Sequence, residues 1–334
     1  MDPTLNFDSS LLIYRHIKKH EQQQAIDMWC SIFKTNADLE GRYFSSDTSP
    51  DYQEGDTLGA WYKDKLVSTV HIQRLILQSS DKNHKYICGG ISNVATLPEY
   101  RRQGLSRHLL KFAISKMEMN NEFDISMLGT GIPSHYAPLG WEHVAQPAEV
   151  MINSKTITSV SIDVKWRSAS AILSNDVENL LQIYSNNPRI YQIDRSPSTR
   201  FQHWVKWEWE SNEAIICMYE DEQEQGYVVI DNPDSEENIR VLEWRASNLN
   251  LEQKLLSLAA IEIRRRHEST KLVHLFALPQ YMTIDQLMKW VGPVQNSFNS
   301  DIMMRNIRLP NDVYEQIKAA YVDGRAIVWS GDYF

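Results

Sequence analysis

Two periods of apolar residues alternate along the first half of the chain, and they predict strands and helices. Apolar residues at every second position predict a strand, and apolar residues three or four positions apart predict a helix. The predicted elements are, in order, a strand at 11–17, a helix at 20–33, strands at 57–62, 66–78 and 86–96, a helix at 103–119, a strand at 124–128 and an extended segment from 140 to 152. The polar stretch 41–54 predicts a loop, which is a candidate to contact a substrate.

The second half follows a similar order of elements, although its residues show no repeat. Its predicted elements are helices at 175–184 and 198–207, strands at 214–220, 225–230 and 240–246, a helix at 251–266, a strand at 271–277, a strand at 302–307 and a helix at 311–321. We predict two tandem domains, 1–152 and 153–300, and a C-terminal extension, 301–334, that packs back toward the first domain. The predicted fold class is α/β (mixed α+β), with a mixed, largely antiparallel central sheet flanked by helices in each domain.

The composition is that of a globular protein with an acidic balance. The chain has 334 residues, 42% of them apolar, and a formal net charge of -9. This charge argues against a nucleic-acid partner, which would need a basic face, and it either attracts a cationic amine or serves only solubility. We predict a cytoplasmic protein without a membrane partner. The N-terminus is polar, the three cysteines lie far apart, and no apolar run approaches the roughly 20 residues that a membrane span needs. The sequence leaves open whether the protein forms a homo-oligomer.

The segment 94–106 has the features of an anion site. A predicted strand ends here, the chain turns at Pro98, and a helix begins with backbone N–H groups that have no acceptor within the helix. Arg101 and Arg102 add positive charge, and Gly104 lets a phosphate approach the backbone closely. The segment lacks the Gly-Lys-Ser/Thr ending of a Walker loop and the paired glycines of a dinucleotide fingerprint. The predicted ligand is therefore a pyrophosphate of another kind.

The same segment resembles motif A of the GNAT superfamily of N-acetyltransferases. The matching residues are Val94, Thr96, Pro98, Arg101 and Gly104. Ser106 departs from the motif, because Gly or Ala is usual at its position. The resemblance implies that acetyl-CoA is the donor and that its pantetheine arm is bound by Val94, Ala95 and Thr96. It implies further that the pyrophosphate is bound by Arg101, Arg102, Gln103, Gly104, Leu105 and Ser106.

A second segment, 134–142, follows about 30 residues after the motif and contains Tyr136, Gly140 and Trp141. It resembles the Tyr-x-x-x-Gly-Trp/Tyr-Glu element that closes the site in many GNAT enzymes. The resemblance implies that Tyr136 is the general acid, because a phenol can protonate a departing coenzyme A thiolate. The alternative is a tyrosine that only packs in the sheet, with its hydroxyl satisfied by a neighbour. His71, on a predicted strand, is a second candidate to move a proton, although a strand histidine more often serves packing.

The whole chain is similar to the Eis (enhanced intracellular survival) type of acetyltransferase. In that type a GNAT domain precedes a degenerate GNAT-like domain and usually a third domain. The resemblance implies that the second domain does not bind coenzyme A, because no Arg-x-x-Gly loop precedes its helix. It also implies that the terminal carboxylate, here that of Phe334, reaches the first domain and acts as the base. The alternative for Phe334 is a terminus packed on the surface.

These features together predict an acetyl-CoA-dependent N-acetyltransferase. We expect direct transfer of the acetyl group to a primary amine, either a small cationic amine or a lysine side chain, within a ternary complex. The alternative from another class is a protein that binds acyl-CoA without turnover, as a sensor or scaffold. No metal site is expected, since the cysteines lack the spacing of metal ligands.

Overall fold

The computed structural model describes residues 7–45, 49, 51–79, 83–119, 121–153, 155, 157, 164–220, 224–232, 239–268, 272–299 and 301–332. The strands are β1 (Leu12–His16), β2 (Thr57–Tyr62), β3 (Lys65–Gln78), β4 (Lys85–Thr96), β5 (Ile125–Gly129), β6 (Glu142–His143), β7 (Gln146–Asn153), β8 (Trp166–Ser168), β9 (Gln192–Ile193), β10 (Ile215–Glu220), β11 (Gln225–Ile230), β12 (Arg240–Arg245), β13 (Leu272–Leu275), β14 (Gln295–Asn299) and β15 (Ile302–Asn306).

Helices pack against the sheets that these strands form. They are α1 (Gln22–Phe33), α2 (Ala37–Phe44), α3 (Leu105–Met119), α4 (Ser174–Asn186), α5 (Ser198–Arg200), α6 (Trp207–Ser211), α7 (Leu249–Arg266), α8 (Ile284–Val291) and α9 (Asn311–Val322). A π-helical segment, Phe201–Lys206, joins α5 to α6, so that the predicted helix at 198–207 continues to Ser211. Among the described helices, none combines the length and the apolar character that a membrane span requires.

Two mixed sheets carry the fold, as the sequence predicts. The first sheet has the strand order β1-β2-β3-β4-β5-β15-β6, and β9 pairs with the end of β3. The second sheet has the order β14-β7-β13-β12-β11-β10-β8. Most neighbouring strands are antiparallel, while β4 with β5 and β12 with β13 are parallel. The predicted mixed α/β class with a mixed, largely antiparallel sheet in each half is therefore confirmed.

The two sheets exchange strands near their junction. The extended segment that the sequence predicts from 140 to 152 divides into β6, in the first sheet, and β7, in the second sheet. β7 pairs with β13 and β14, and the chain then returns through β15, which lies between β5 and β6. A strand from the predicted extension 301–334 thus completes the sheet of the N-terminal half.

The predicted loop 41–54 is wrong at its beginning, because helix α2 continues to Phe44. The side chain of Asn36 caps this helix by accepting a hydrogen bond from the Leu39 N–H at 2.9 Å. Acidic residues in the first turn also favour a helix start, since they interact with the positive end of the helix dipole. Gly41 in the middle of α2 lowers the helix propensity of the segment. The sequence therefore does not predict a helix here.

Candidate active site

The parallel strands β4 and β5 separate within the first sheet and leave a cavity between them. Their pairing spans only Cys88 to Gly90 on β4 and Ile125 to Met127 on β5. Beyond this point the strands diverge, and a cavity of about 460 Å³ opens at the end of β5. Its walls come from β4, from the turn after β5 and from α1 and α2; the lining residues are Phe33, Thr35, Leu39, Glu40, Phe44, Ile91, Ser92, Asn93, Val94, Gly129, Thr130, Gly131, Ile132 and Tyr136.

A β-bulge at Asn93 and Val94 shapes the β4 wall. The register shifts between Thr69 and His71 of β3, so that two residues of β4 lie opposite one residue of β3. Asn93 has the left-handed backbone angle φ 47°. The Thr69 hydroxyl donates to the Asn93 carbonyl at 3.0 Å, and Trp29 Nε1 donates to the same hydroxyl at 2.8 Å. These buried contacts hold the bulge, which turns part of the β4 backbone toward the cavity.

On β4, the strand predicted to bind the cofactor, the Ala95 side chain points into the core, so only backbone groups of Ala95 are available to a ligand. The Ala95 side chain is buried in the core, while Val94 and Thr96 are half-buried. The Ser68 hydroxyl donates to the Ala95 carbonyl at 2.8 Å and bonds the Thr96 hydroxyl at 2.7 Å. β3 therefore fixes one edge of β4 by hydrogen bonds, and the other edge beyond Gly90 has no strand partner among the described residues.

The predicted pyrophosphate loop lies at the N-terminus of α3. Arg101, Arg102, Gln103 and Gly104 are exposed, and Leu105 is buried as the first residue of the helix. Gly104 has φ 76°, and a Cβ built on it would meet no atom within 4 Å. The open space at this glycine and the free N–H groups of the first helical turn fit a phosphate group. Arg102 has the left-handed angle φ 65°, which turns the loop sharply before the helix.

The segment with Tyr136 lies beside the start of α3. Ser106 Oγ is 3.3 Å from His135 Nε2, which joins the helix to this segment. The Tyr136 side chain is buried and lines the cavity, and its ring packs edge-on against Trp141 at 6.2 Å between centroids. Burial raises the pKa of Tyr136, and a hydrogen bond with Thr130 acts in the opposite direction. The phenol consequently keeps its proton at neutral pH, as a general acid must.

Trp141 and Gly140 fix the position of this segment on the sheet. Trp141 Nε1 donates to Ser126 Oγ at 3.3 Å, and Ser126 Oγ donates to the Gly89 carbonyl at 2.7 Å. Gly140 has φ 89°, and Arg305 of β15 lies directly against it. The side chain of Arg305 donates to the Leu139 carbonyl. The motif residues after Tyr136 thus serve to anchor it.

Glu40 is a buried carboxylate in the cavity wall that sequence reasoning missed. It is 3% exposed, although it lies on the short helix α2. Its two oxygens accept hydrogen bonds from the Thr35 hydroxyl at 2.5 Å and from the Asn93 side-chain amide at 2.8 Å. The second contact joins Glu40 to the bulge next to Val94. The only signal in the sequence was the capped, acidic first turn of α2.

His71, another predicted group, is not among the residues that line the cavity. His71 is buried under Phe44 and Tyr52, with ring centroids 4.9 Å and 5.9 Å away, and its Nδ1 is 2.9 Å from the Thr57 hydroxyl. Burial lowers the pKa of His71 to about 4, so it is a weak base near neutral pH. Phe334 lies outside the described residues, and its catalytic role stays a prediction.

The lowered pKa of His71 predicts that the folded protein loses stability in acid. Between pH 6.5 and about pH 4 the unfolded chain protonates this histidine, whereas the folded chain keeps it neutral. The free energy of unfolding should therefore fall by about 3 kcal/mol as the pH drops through this window. Denaturant titrations of the wild type and of His71→Asn measure this slope. The variant should lack it, and equal slopes in both proteins would contradict the assignment.

The second sheet contains a matching pair of parallel strands, but a tryptophan fills the gap between them. β12 and β13 pair only at Arg240–Val241 and His274–Leu275. Beyond that point the Trp329 ring lies 5.4 Å from Trp244 of β12 and 6.1 Å from Phe276, the residue after β13. The C-terminal segment thus occupies the place that corresponds to the cavity beside β4.

Glu252 of α7 occupies the helix start that corresponds to the phosphate loop. It accepts hydrogen bonds from the backbone N–H groups of Gln280 and Tyr281, at 2.6 Å and 2.8 Å, and from Trp244 Nε1 at 2.9 Å. These donors belong to β12 and to the segment after β13, so Glu252 connects the start of α7 to both. The helix start itself is capped by Asn248, whose side chain accepts a hydrogen bond from the Leu251 N–H at 3.0 Å. The filled gap and the capped helix start argue against a second coenzyme A site.

Comparisons with known proteins identify a family for the N-terminal half and similar folds for the whole chain. Residues 13–144 match a family model described as an acetyltransferase (GNAT) domain. A search of curated proteins gives no match. Among solved structures, the chain is similar to a conserved protein from Enterococcus faecalis described as a probable N-acyltransferase, with a TM-score of 0.70 and 18% identity over 89% of this chain and 73% of that one.

Two further solved structures share the fold over a similar length. A GCN5-related N-acetyltransferase from Kribbella flavida has a TM-score of 0.65 and 17% identity, over 90% of this chain and 72% of that one. Eis1 from Mycobacterium abscessus has a TM-score of 0.64 and 15% identity, over 89% of this chain and 74% of that one. At such identities the likeness shows the fold, and it extends over both sheets.

Proposed function

We propose that the chain is an N-acetyltransferase that moves an acetyl group from acetyl-CoA to a primary amine, because residues 13–144 match a GNAT acetyltransferase domain and the chain shares the fold of the similar solved structures. The observation that carries the proposal is the open cavity between β4 and β5, with the buried Tyr136 in its wall and the phosphate loop beside it. The corresponding gap in the second sheet is filled by Trp329, which leaves one site of this kind in the described chain.

The residues around the cavity fit acetyl-CoA as the donor. Arg101, Arg102 and the first N–H groups of α3 can bind the pyrophosphate, with Gly104 leaving space for it. The unpaired edge of β4 at Val94 to Thr96 offers backbone groups to the pantetheine arm. Acetyl-CoA supplies an activated acyl group, and the chain has to place it next to an amine.

Direct transfer within a ternary complex requires an oxyanion donor, a proton acceptor and an acid. A backbone N–H near Val94, held by the bulge, can polarise the carbonyl oxygen of the donor. The Tyr136 phenol can protonate the departing sulfur, since its raised pKa keeps the proton in place until transfer. The terminal carboxylate of Phe334 stays a predicted base. Activity measurements on variants are needed to identify the group that accepts the proton.

A liberated-thiol assay tests the function directly. Purified protein should release coenzyme A from acetyl-CoA only when a primary amine is present, and the acetylated amine should appear in equal amount by mass spectrometry. A panel with a diamine, a lysine peptide and an aminoglycoside-like polyamine distinguishes small acceptors from protein lysines. Binding of acetyl-CoA without thiol release from any of these amines would instead support the alternative, a non-catalytic acyl-CoA sensor.

The acceptor is proposed to be a cationic amine. The chain carries a net charge of -9, which attracts cations at long range, and a buried carboxylate lies in the cavity wall. The predicted cytoplasmic location and a homo-oligomeric state stay predictions.

A further inference from the structure

We infer that Glu40 is the residue that binds the acceptor ammonium and takes its proton. The inference rests on the proposed function and adds to it the group that activates the amine. Glu40 lines the cavity, and its carboxylate is held in place from both sides by Thr35 and Asn93. Asn93 donates a hydrogen bond to this carboxylate and precedes Val94 in the bulge, and the reacting carbonyl is predicted to lie near Val94.

Glu40 differs from most of the buried acidic residues of the described chain in having no cationic partner, a feature that it shares with Glu252. Burial of a carboxylate is costly, and buried acids therefore usually pair with a cation. Asp56 pairs with Arg74 at 2.9 Å, and Glu243 pairs with Arg195 at 2.8 Å. Glu40 contacts two neutral donors, and no lysine, arginine or histidine of the described chain forms an ion pair with it.

This unpaired carboxylate is suited to an ammonium group. A carboxylate has about four acceptor positions, and Thr35 and Asn93 use two of them. The remaining positions can accept N–H donors from a ligand in the cavity. The cavity wall also contains Phe33, Leu39 and Phe44, whose apolar side chains can pack against the carbon chain of an amine. The site therefore fits a primary amine on an aliphatic chain.

The proposed step balances in protons and bonds. Glu40 takes one proton from the ammonium, and the nitrogen lone pair then forms the new N–C bond to the acetyl carbon. The C–S bond breaks, and the sulfur receives the Tyr136 proton. The extra proton on the new amide nitrogen returns to the Tyr136 oxygen, and Glu40 releases its proton to solvent. The products are an N-acetylated amine, coenzyme A and one proton.

Glu40→Gln tests this role because glutamine keeps the shape and one acceptor oxygen for Asn93 but cannot take a proton. We expect kcat/KM for a small primary amine to fall about 100-fold at pH 7. The loss should shrink as the pH rises toward about 10, where the amine loses its proton without help. Acetyl-CoA binding, measured by calorimetry, should equal that of the wild type.

Two matched variants separate Glu40 from its surroundings. Glu178→Gln removes a negative charge from an exposed residue of α4, outside the cavity wall, and should leave the pH profile unchanged. Removal of Phe334 tests the family's predicted base in the same assay. Two results would overturn the role of Glu40. One is a pH profile of kcat/KM in Glu40→Gln that equals that of the wild type, and the other is a recovery of kcat/KM at high pH that occurs only in the Phe334 deletion.

A third result would overturn the inference in another way. If Glu40→Gln loses acetyl-CoA binding, then Glu40 serves the bulge through Asn93 and does not act on the amine. Each of these comparisons requires a wild-type protein that is active in the thiol-release assay. A wild type that releases no thiol with any amine would reject the proposed function itself, which keeps the two failures distinct.

Discussion

Replacement of Tyr136 by phenylalanine should lower kcat about 100-fold while acetyl-CoA binds as tightly as before. The change removes only the phenol oxygen, and the ring remains able to pack against Trp141. General acid catalysis raises a reaction rate by about 100-fold to 10,000-fold, and we expect the lower end of this range. Steady-state thiol release gives kcat, and calorimetry with acetyl-CoA gives the binding constant. The large loss should appear in kcat because the phenol acts on the leaving sulfur, after both substrates are bound.

Tyr62→Phe is a matched control for this variant. Tyr62 is also buried in the first sheet, but its hydroxyl accepts a hydrogen bond from the Asp8 N–H at 3.3 Å and lies outside the described cavity wall. This variant should keep the wild-type kcat. Unchanged turnover in Tyr136→Phe would show that the residue only packs, and a parallel loss of acetyl-CoA binding would show that it shapes the donor site.

Tyr136 and Glu40 differ in how far the sequence could reveal them. Tyr136 belongs to a local pattern in which Gly140 and Trp141 each have a structural reason, since one needs a positive φ and the other anchors the segment to Ser126. Glu40 belongs to no pattern of this kind. It reaches the cavity because α2 folds over the end of β4, and that contact depends on tertiary packing between residues 53 positions apart.

The sheets could be predicted, but their exchange of strands could not. Alternation of apolar residues predicted most of the strands in both halves, since each strand packs one face on a core. The same alternation could not assign β7 to the second sheet or β15 to the first, because both neighbours offer equivalent backbone hydrogen bonds. α8 and β14 were missed, although Thr283 and Gln286 form a capping box at the start of α8.

The contrast between the two sheets supports the proposal that the first half is catalytic and the second half structural. Both contain parallel strands that diverge beside a helix start. In the first sheet the gap holds a cavity lined by Tyr136 and Glu40. In the second sheet Trp329 fills the gap, and the Asn248 side chain caps the helix start. The C-terminal segment thereby becomes part of the second core.

This incorporation of the C-terminal segment depends on a buried ionic cluster at Arg195. Its guanidinium donates to both oxygens of Asp332, at 2.7 Å and 3.0 Å, and to both oxygens of Glu243, at 2.8 Å and 3.0 Å. The Tyr227 hydroxyl donates to Glu243 at 2.6 Å. Arg195 follows β9 of the first sheet, Glu243 lies on β12 of the second sheet, and Asp332 ends the described chain. One side chain therefore joins three segments.

Arg195→Met should lower the free energy of unfolding by about 3–5 kcal/mol, because it leaves two buried carboxylates without their ion-pair partner. Denaturant unfolding followed by tryptophan fluorescence measures the loss. The triple variant Arg195→Met, Glu243→Gln, Asp332→Asn keeps similar volumes but removes the uncompensated charges, and it should recover a substantial part of the loss. If the triple variant is as unstable as the single one, then packing of the arginine stem, rather than its charge, holds the C-terminal segment between the sheets.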